Sequence, residues 1–149
     1  MYHKLLEYIG NTPLVESTNL VKNPNVKLLL KLEGNNPGGS VKDRAAYYMI
    51  KGALDRGEIK DGDKLIEATS GNTGIALAMI AQLLNIDIEL VLPENSTAER
   101  VQTMRAYGAK VTLTSAKTGI IGSRDYADEK VAQGGYIMLN QFANNDNWK

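Results

Sequence analysis

Short apolar runs of strand length alternate with stretches of helical period along most of the chain, and the connections between them are brief. That alternation limits the possible folds more than any other feature. Strand, helix and strand joined this way form right-handed crossovers, so the strands come out parallel and need helices over both faces. The expected class is α/β, a doubly wound, mostly parallel sheet with helices on both faces. In such sheets ligands bind outside the carboxyl ends of the strands.

The pieces read as follows. Val26, Leu28, Leu30 and Leu32 fall on one side of a run with Lys27 and Lys31 on the other, the alternation of a half-buried strand. Asn35-Asn36-Pro37-Gly38-Gly39 marks a loop. A helix is expected from there to about Arg56, with Ser40 and Asp43 at capping-box spacing and Gly57 as the stop. A strand at 65–68 leads into the polar turn Thr69-Ser70-Gly71-Asn72-Thr73-Gly74. The next helix puts Ile75, Met79, Ile80 and Leu83 on one face. A strand at 87–92 ends at Pro93, and Ser96 and Glu99 form a capping box for a helix that reaches Tyr107. A strand at 110–114, a helix at 123–133 and a last strand at 136–139 complete the series.

Composition excludes several chemistries. The 149 residues contain no cysteine, which removes disulfides, thiolate-bound zinc, iron–sulfur clusters and thiol nucleophiles together. His3 is the one histidine, so a His-based triad or a multi-His metal site is not available within one chain, and no metal is expected. Lys+Arg and Asp+Glu are 17 each, which offers no basic footprint for nucleic acid or an anionic membrane. The longest apolar run, 75–81, is far short of a membrane span, and Glu7 interrupts any signal-type apolar stretch. A cytoplasmic protein is the default expectation, and the length alone suits one domain.

Two segments offer chemistry. The turn 69–74 joins a strand end to a helix start, where unpaired N–H groups and partial positive charge meet Ser, Thr and Asn donors. It suits a carboxylate or phosphate, or else is an ordinary N-cap turn. Its glycines do not have the dinucleotide-binding spacing. The run Gly38-Gly39-Ser40-Val41-Lys42-Asp43-Arg44 places a lysine in the first turn of a helix. Lys42 is either a nucleophilic amine able to form a Schiff base or a solvated surface lysine.

Taken together, the run 34–44 and the turn 69–74 strongly resemble the pyridoxal-phosphate enzymes of the cysteine synthase family, the O-acetylserine sulfhydrylases with a tryptophan synthase β-like fold (fold type II). Ile9-Gly10-Asn11-Thr12-Pro13-Leu14 and Met104-Arg105-Ala106-Tyr107-Gly108-Ala109 match further family stretches, and the run 33–37 looks more like the B-type. The resemblance covers essentially the whole chain. It implies that Lys42 carries pyridoxal 5'-phosphate as a Schiff base and acts as the catalytic base, and that Asn72 hydrogen-bonds the cofactor's phenolic oxygen. It implies that Thr69, Ser70, Gly71, Thr73 and Gln141 receive the substrate carboxylate. Acetate would leave O-acetylserine and sulfide would add at Cβ, giving cysteine.

The same resemblance implies a second domain of comparable size beyond this sequence, holding the Gly/Thr-rich loop for the cofactor phosphate. The chain is therefore expected to be a truncated, N-terminal portion. Residues 1–38 would form a segment whose strands join that second domain, and 39–149 the smaller, substrate-binding α/β domain. Alone, the chain is expected to hold pyridoxal phosphate weakly or not at all and to self-associate, in a family that is typically homodimeric. The competing expectations are a non-catalytic α/β module derived from such an enzyme and a nucleotide-binding doubly wound domain.

Overall fold

The alternation of apolar runs builds two separate sheets in the computed structural model, which describes residues 4–148, so that His3 lies outside it. The first is a ribbon of β1 (Leu14–Ser17) and β2 (Leu28–Lys31), antiparallel, with Val15 opposite Leu30. The second is parallel: β3 (Lys64–Ala68), β4 (Asp87–Pro93) and β5 (Lys110–Thr114), adjacent in that order. The strand expected at 136–139 shrinks to one parallel bridge between Ile137 and Leu65, on the free edge of β3. Two backbone bonds hold it, Ile66 N to Ile137 O at 3.0 Å and Ile137 N to Lys64 O at 2.8 Å. Pairing ends there because the chain turns at Asn140, whose φ is +52°.

Helices cover both faces of the parallel sheet. α1 (Lys42–Asp55), α2 (Asn72–Leu83) and α3 (Ala98–Ala106) lie on one side, where Leu65, Ile88, Leu90 and Leu92 pack against Met49, Leu77, Ile80 and Met104. α4 (Gly119–Ala132) lies on the other, where Ile66, Ala68 and Val91 meet Ala127. The alternation along β4 thus serves two cores, which is why the strand reads as a nearly continuous apolar run. α4 carries the chain from β5 back across the sheet to the far edge of β3. The winding therefore reverses at β3, and the loops after β3 and after Ile137 diverge from there.

α2 departs from its expected single face. Ala76, Leu77, Ala78, Met79, Ile80 and Ala81 are all buried, while Leu83 is 43% exposed. The helix is wedged between α1, α3 and the sheet, so almost its whole circumference is core.

The caps also differ. Ser40 accepts from Lys42 N at 3.1 Å, and Asp43 reaches past it to accept from Gly38 N. A side chain on Gly38 would meet Asp43 Oδ1 at 2.6 Å, so the approach requires glycine. Thr97, not Ser96, precedes α3 and makes no side-chain cap, because Ser96 N is engaged in a turn with Pro93 O. α4 starts at Gly119, four residues before the expected 123, since Gly119 and Gly122 dilute the helical pattern of its first turn.

The ribbon is the largest departure. Only Leu28–Lys31 pair, and Val26 is 52% exposed, as are Leu14 at 57% and Leu29 at 49%. No helix covers either face among the described residues. One polar knot ties it to the rest: Arg44 and Thr12 bind the Glu33 carboxylate, Asn36 Nδ2 donates to Glu33, and Asn36 Oδ1 accepts from Gly10 N at 2.8 Å. Among the described residues no helix is long and apolar enough to cross a membrane.

Candidate active site

The carboxyl end of β3 makes the first wall. Thr69 N donates to Val91 O at 3.0 Å, the last bond of the ladder, and α2 begins three residues later. Between them the N–H groups of Ser70, Gly71, Asn72 and Thr73 have no protein acceptor among the described residues. The side chains of Thr69, Ser70, Asn72 and Thr73 are likewise without protein partners there. A helix N-terminus with this many free donors attracts an anion. Gly74 lets α2 come close: a Cβ there would meet the Thr69 methyl and Met104 Cε, each at 2.7 Å. On the outside, Arg100 of α3 donates from Nη1 to Ser70 O at 3.2 Å and fixes the loop's far side.

The second wall comes from the segment after Ile137. Asn140 takes the left-handed conformation and turns the chain, and Gln141 and Phe142 follow. Glu67, buried on β3, accepts from Asn140 N at 3.0 Å and Gln141 N at 3.4 Å. Asn144 Nδ2 donates to Leu139 O at 2.8 Å, and Asn147 Nδ2 to Gln141 O at 2.5 Å. Asn144 and Asn147 thus fasten this wall. Arg124 of α4 lies 5.8 Å from the Phe142 ring centroid, a cation–π distance.

Between the walls lies a cleft of about 210 Å³, lined by Thr69, Ser70, Gly71, Thr73, Gln141 and Phe142. The five residues expected to receive a carboxylate therefore face one space. It sits where the winding reverses, the usual place for a ligand in an open α/β sheet.

Lys42 and Asn72 stand outside that cleft. Lys42 is the first residue of α1, half-buried, and opens on a separate cavity of about 290 Å³ with Arg44, Tyr48, Asn147 and Trp148. It makes no ion pair or hydrogen bond from its amine among the described residues. Next to it Asp43 is fully buried, and its Oδ1 has no partner. Burial pushes the Asp43 carboxyl above the usual range, against the pull of the Gly38 amide.

Two further carboxylates are shaped by burial. Burial lifts Glu67 to about 7, although the amides of Gln141, Asn140 and Leu139 and the charge of Arg124 work against it. On the α4 side, burial also pushes Glu89 up, but hydrogen bonds from Lys110, Tyr136 and Thr112 outweigh it and hold the carboxyl below its ordinary value. Of these groups Glu67 had a visible signal, an acid inside the apolar run Leu65-Ile66-Glu67-Ala68 of a strand expected to be covered on both faces. Arg100 and the two asparagines had none.

The model of the family described as "Pyridoxal-phosphate dependent enzyme" matches residues 5–149. The chain belongs to this family. Within this pyridoxal-phosphate family it is similar to cysteine synthase B of Pseudomonas aeruginosa, 53% identical over 146 residues that cover 98% of this chain and 49% of that protein. It is 54% identical to cysteine synthase B of Escherichia coli K12 over 96% of this chain and 47% of that one. The chain spans about half the length of these two curated relatives. Among solved structures, a cysteine synthase from Entamoeba histolytica superposes with a TM-score of 0.93 at 38% identity, over 98% of this chain and 45% of that one. An O-ureido-L-serine synthase gives 0.91 at 36% identity, over 98% and 46%. The fold is therefore that of the fold-type II pyridoxal-phosphate enzymes.

Proposed function

We propose that this chain supplies the reactive lysine and the carboxylate-binding side of a pyridoxal-phosphate-dependent β-replacement, in which O-acetylserine or a related activated serine and sulfide give cysteine. The observation that carries the reading is the cleft itself. Unpaired donors from the head of α2 and the Gln141 side of the far wall meet in a space sized for a small amino-acid carboxylate.

The residues present fit the cofactor. Lys42 offers an amine with no acidic partner among the described residues, and Asn72 offers a free amide. Lys42 would hold the cofactor, and Asn72 would donate to its phenolic oxygen. When bound, pyridoxal phosphate supplies an electron sink for charge developing at Cα. Thr69, Ser70, Thr73 and Gln141 bind the substrate carboxylate, and the missing side chain of Gly71 leaves the backbone open to it. Clamping the carboxylate orients the Cα–H bond, a positioning effect. The Lys42 amine, when not bonded to the cofactor, would serve as general base for the Cα proton.

In the same reading the β1–β2 ribbon, within residues 1–38, joins a second structural unit, while 39–149 is the substrate-binding domain. In a chain that lacks that unit, the ribbon associates with a second copy. The cytoplasm is the compartment proposed.

The deciding experiment adds pyridoxal phosphate, O-acetylserine and sulfide to the purified chain and follows both cysteine and the visible absorbance of lysine-bound cofactor. The expected result is a weak band, because the head of α2, the anion cradle described above, is committed to substrate. Lys42→Ala removes the band and any cysteine formed. A band or a product that survives Lys42→Ala overturns the assignment of Lys42. A carboxylate-binding chain with no cysteine product supports the non-catalytic module instead.

A further inference from the structure

Glu67 touches neither cleft, yet it is bonded to the backbone of one wall. Its two carboxylate oxygens take the N–H groups of Asn140 and Gln141. Those residues lie three and four positions after the single bridge to β3, so no sheet ladder holds them. Asn140 is also in the left-handed region, which an L-residue adopts at a cost and keeps only when its surroundings hold it there. The carbonyls on either side are held by Asn144 and Asn147. Glu67 is thus the accepting half of a four-point clamp on residues 139–141, and the clamp sets which way Gln141 presents itself.

We infer that Glu67 is a positioning residue, whose carboxylate fixes the Asn140–Gln141 backbone and so places Gln141 across the cleft from Thr69–Thr73. The inference rests on the proposed carboxylate-binding role of that cleft. Glu67 acts through the backbone and touches no substrate. Being carboxylate, it accepts from both amides at once. A glutamine in its place would turn an N–H group toward one of them and lose that bond. Arg124, which flanks Phe142 on the same wall, supplies the positive charge acting on Glu67.

The test follows the amide resonances of the intact chain by NMR, with L-serine as probe. In the unsubstituted protein, the Asn140 and Gln141 amides are expected to shift together as Glu67 ionises, with a midpoint near 7. Glu67→Gln abolishes that titration, leaves the thermal unfolding curve cooperative, and weakens L-serine binding roughly tenfold, the size of one lost charge-assisted hydrogen bond. Glu67→Asp restores part of the titration but not the affinity, since its shorter side chain keeps the charge and misplaces it. The inference is overturned if the Asn140 and Gln141 amides ignore the ionisation in the unsubstituted protein, a result that needs no variant to fold. It is equally overturned if Glu67→Gln binds L-serine as tightly as the parent. If L-serine leaves the Ser70–Thr73 amides unmoved while the titration is present, the carboxylate reading fails and the clamp stands.

Discussion

Arg44 grips the carboxylate of Glu33 with a fork, Nε to Oε2 at 2.8 Å and Nη2 to Oε1 at 3.0 Å. Arg44 lies two positions after Lys42, so this pair fastens the head of α1 to the ribbon side of the molecule. The Arg44 and Thr12 hydrogen bonds hold the Glu33 carboxyl at about 2, against an ordinary 4.5. A lowered carboxyl contributes stability that is present above 4.5 and lost as pH falls toward 2. Urea unfolding midpoints measured across that window should fall with acid, and Glu33→Gln should flatten the fall. Arg44→Lys should lower the midpoint at neutral pH, because an ammonium cannot reproduce the fork.

Glu67 predicts the opposite sign. Its carboxyl is raised to about 7 by burial, so the folded state holds a proton that the unfolded state has released. Stability from this group is complete below 4.5 and is lost as pH rises through 7, on the order of 3 kcal/mol across the window. The Glu67→Gln protein should show no such loss between pH 5 and 8. A midpoint in that protein that still falls with rising pH would place the titrating group elsewhere.

Much of this was legible in the sequence, for identifiable reasons. β3, β4, β5 and the three helices on one face carry dense apolar patterns, and Gly57 and Gly108 close their helices with positive φ as helix stops do. The turn 69–74 is legible as an anion-binding helix head, whereas Gln141 comes only from the family resemblance, and the fold brings 69–73 and Gln141 to one cleft at the reversal of winding. What escaped was non-local. The Ser40–Asp43 spacing looked like a reciprocal cap, but Asp43 is drawn back to Gly38, a contact possible only because Gly38 has no Cβ. The role of Asn144 and Asn147 depends on carbonyls that become reachable after Asn140 turns the chain. The leucines of β2 alternate as if half-buried, yet alternation says only that one face is apolar, not what covers it.

Packing around α2 gives a third prediction. Leu77 is completely buried in the core that α2 shares with α1, α3 and the sheet. Leu77→Ala should cost about 2–5 kcal/mol, read as a lowered urea midpoint with unchanged slope. At the head of the same helix two glycines should behave differently. Gly74→Ala pushes a methyl against Thr69 and Met104 and should cost about 1–3 kcal/mol. Gly71→Ala meets nothing within 4 Å and should leave stability unchanged. A Gly74→Ala protein as stable as the parent would mean that the loop and α2 separate easily, and the cleft wall would then not be preformed.

The ribbon carries the last prediction. β1 and β2 pair only with each other among the described residues, so each has a free edge. Val15, Leu28 and Leu30 share one face, since Val15 is opposite Leu30 and Ser17 opposite Leu28. A two-stranded ribbon is marginal in water by itself, and open apolar strand edges invite pairing with another chain. The mass measured by light scattering should therefore rise with protein concentration. Leu30→Lys puts a charge at the centre of the apolar face, remote from the α2 core, and should restore a monomer without moving the thermal unfolding midpoint. A parent protein that stays monomeric over a wide concentration range would show that the ribbon does not associate, and would leave the apolar face as a surface this chain tolerates.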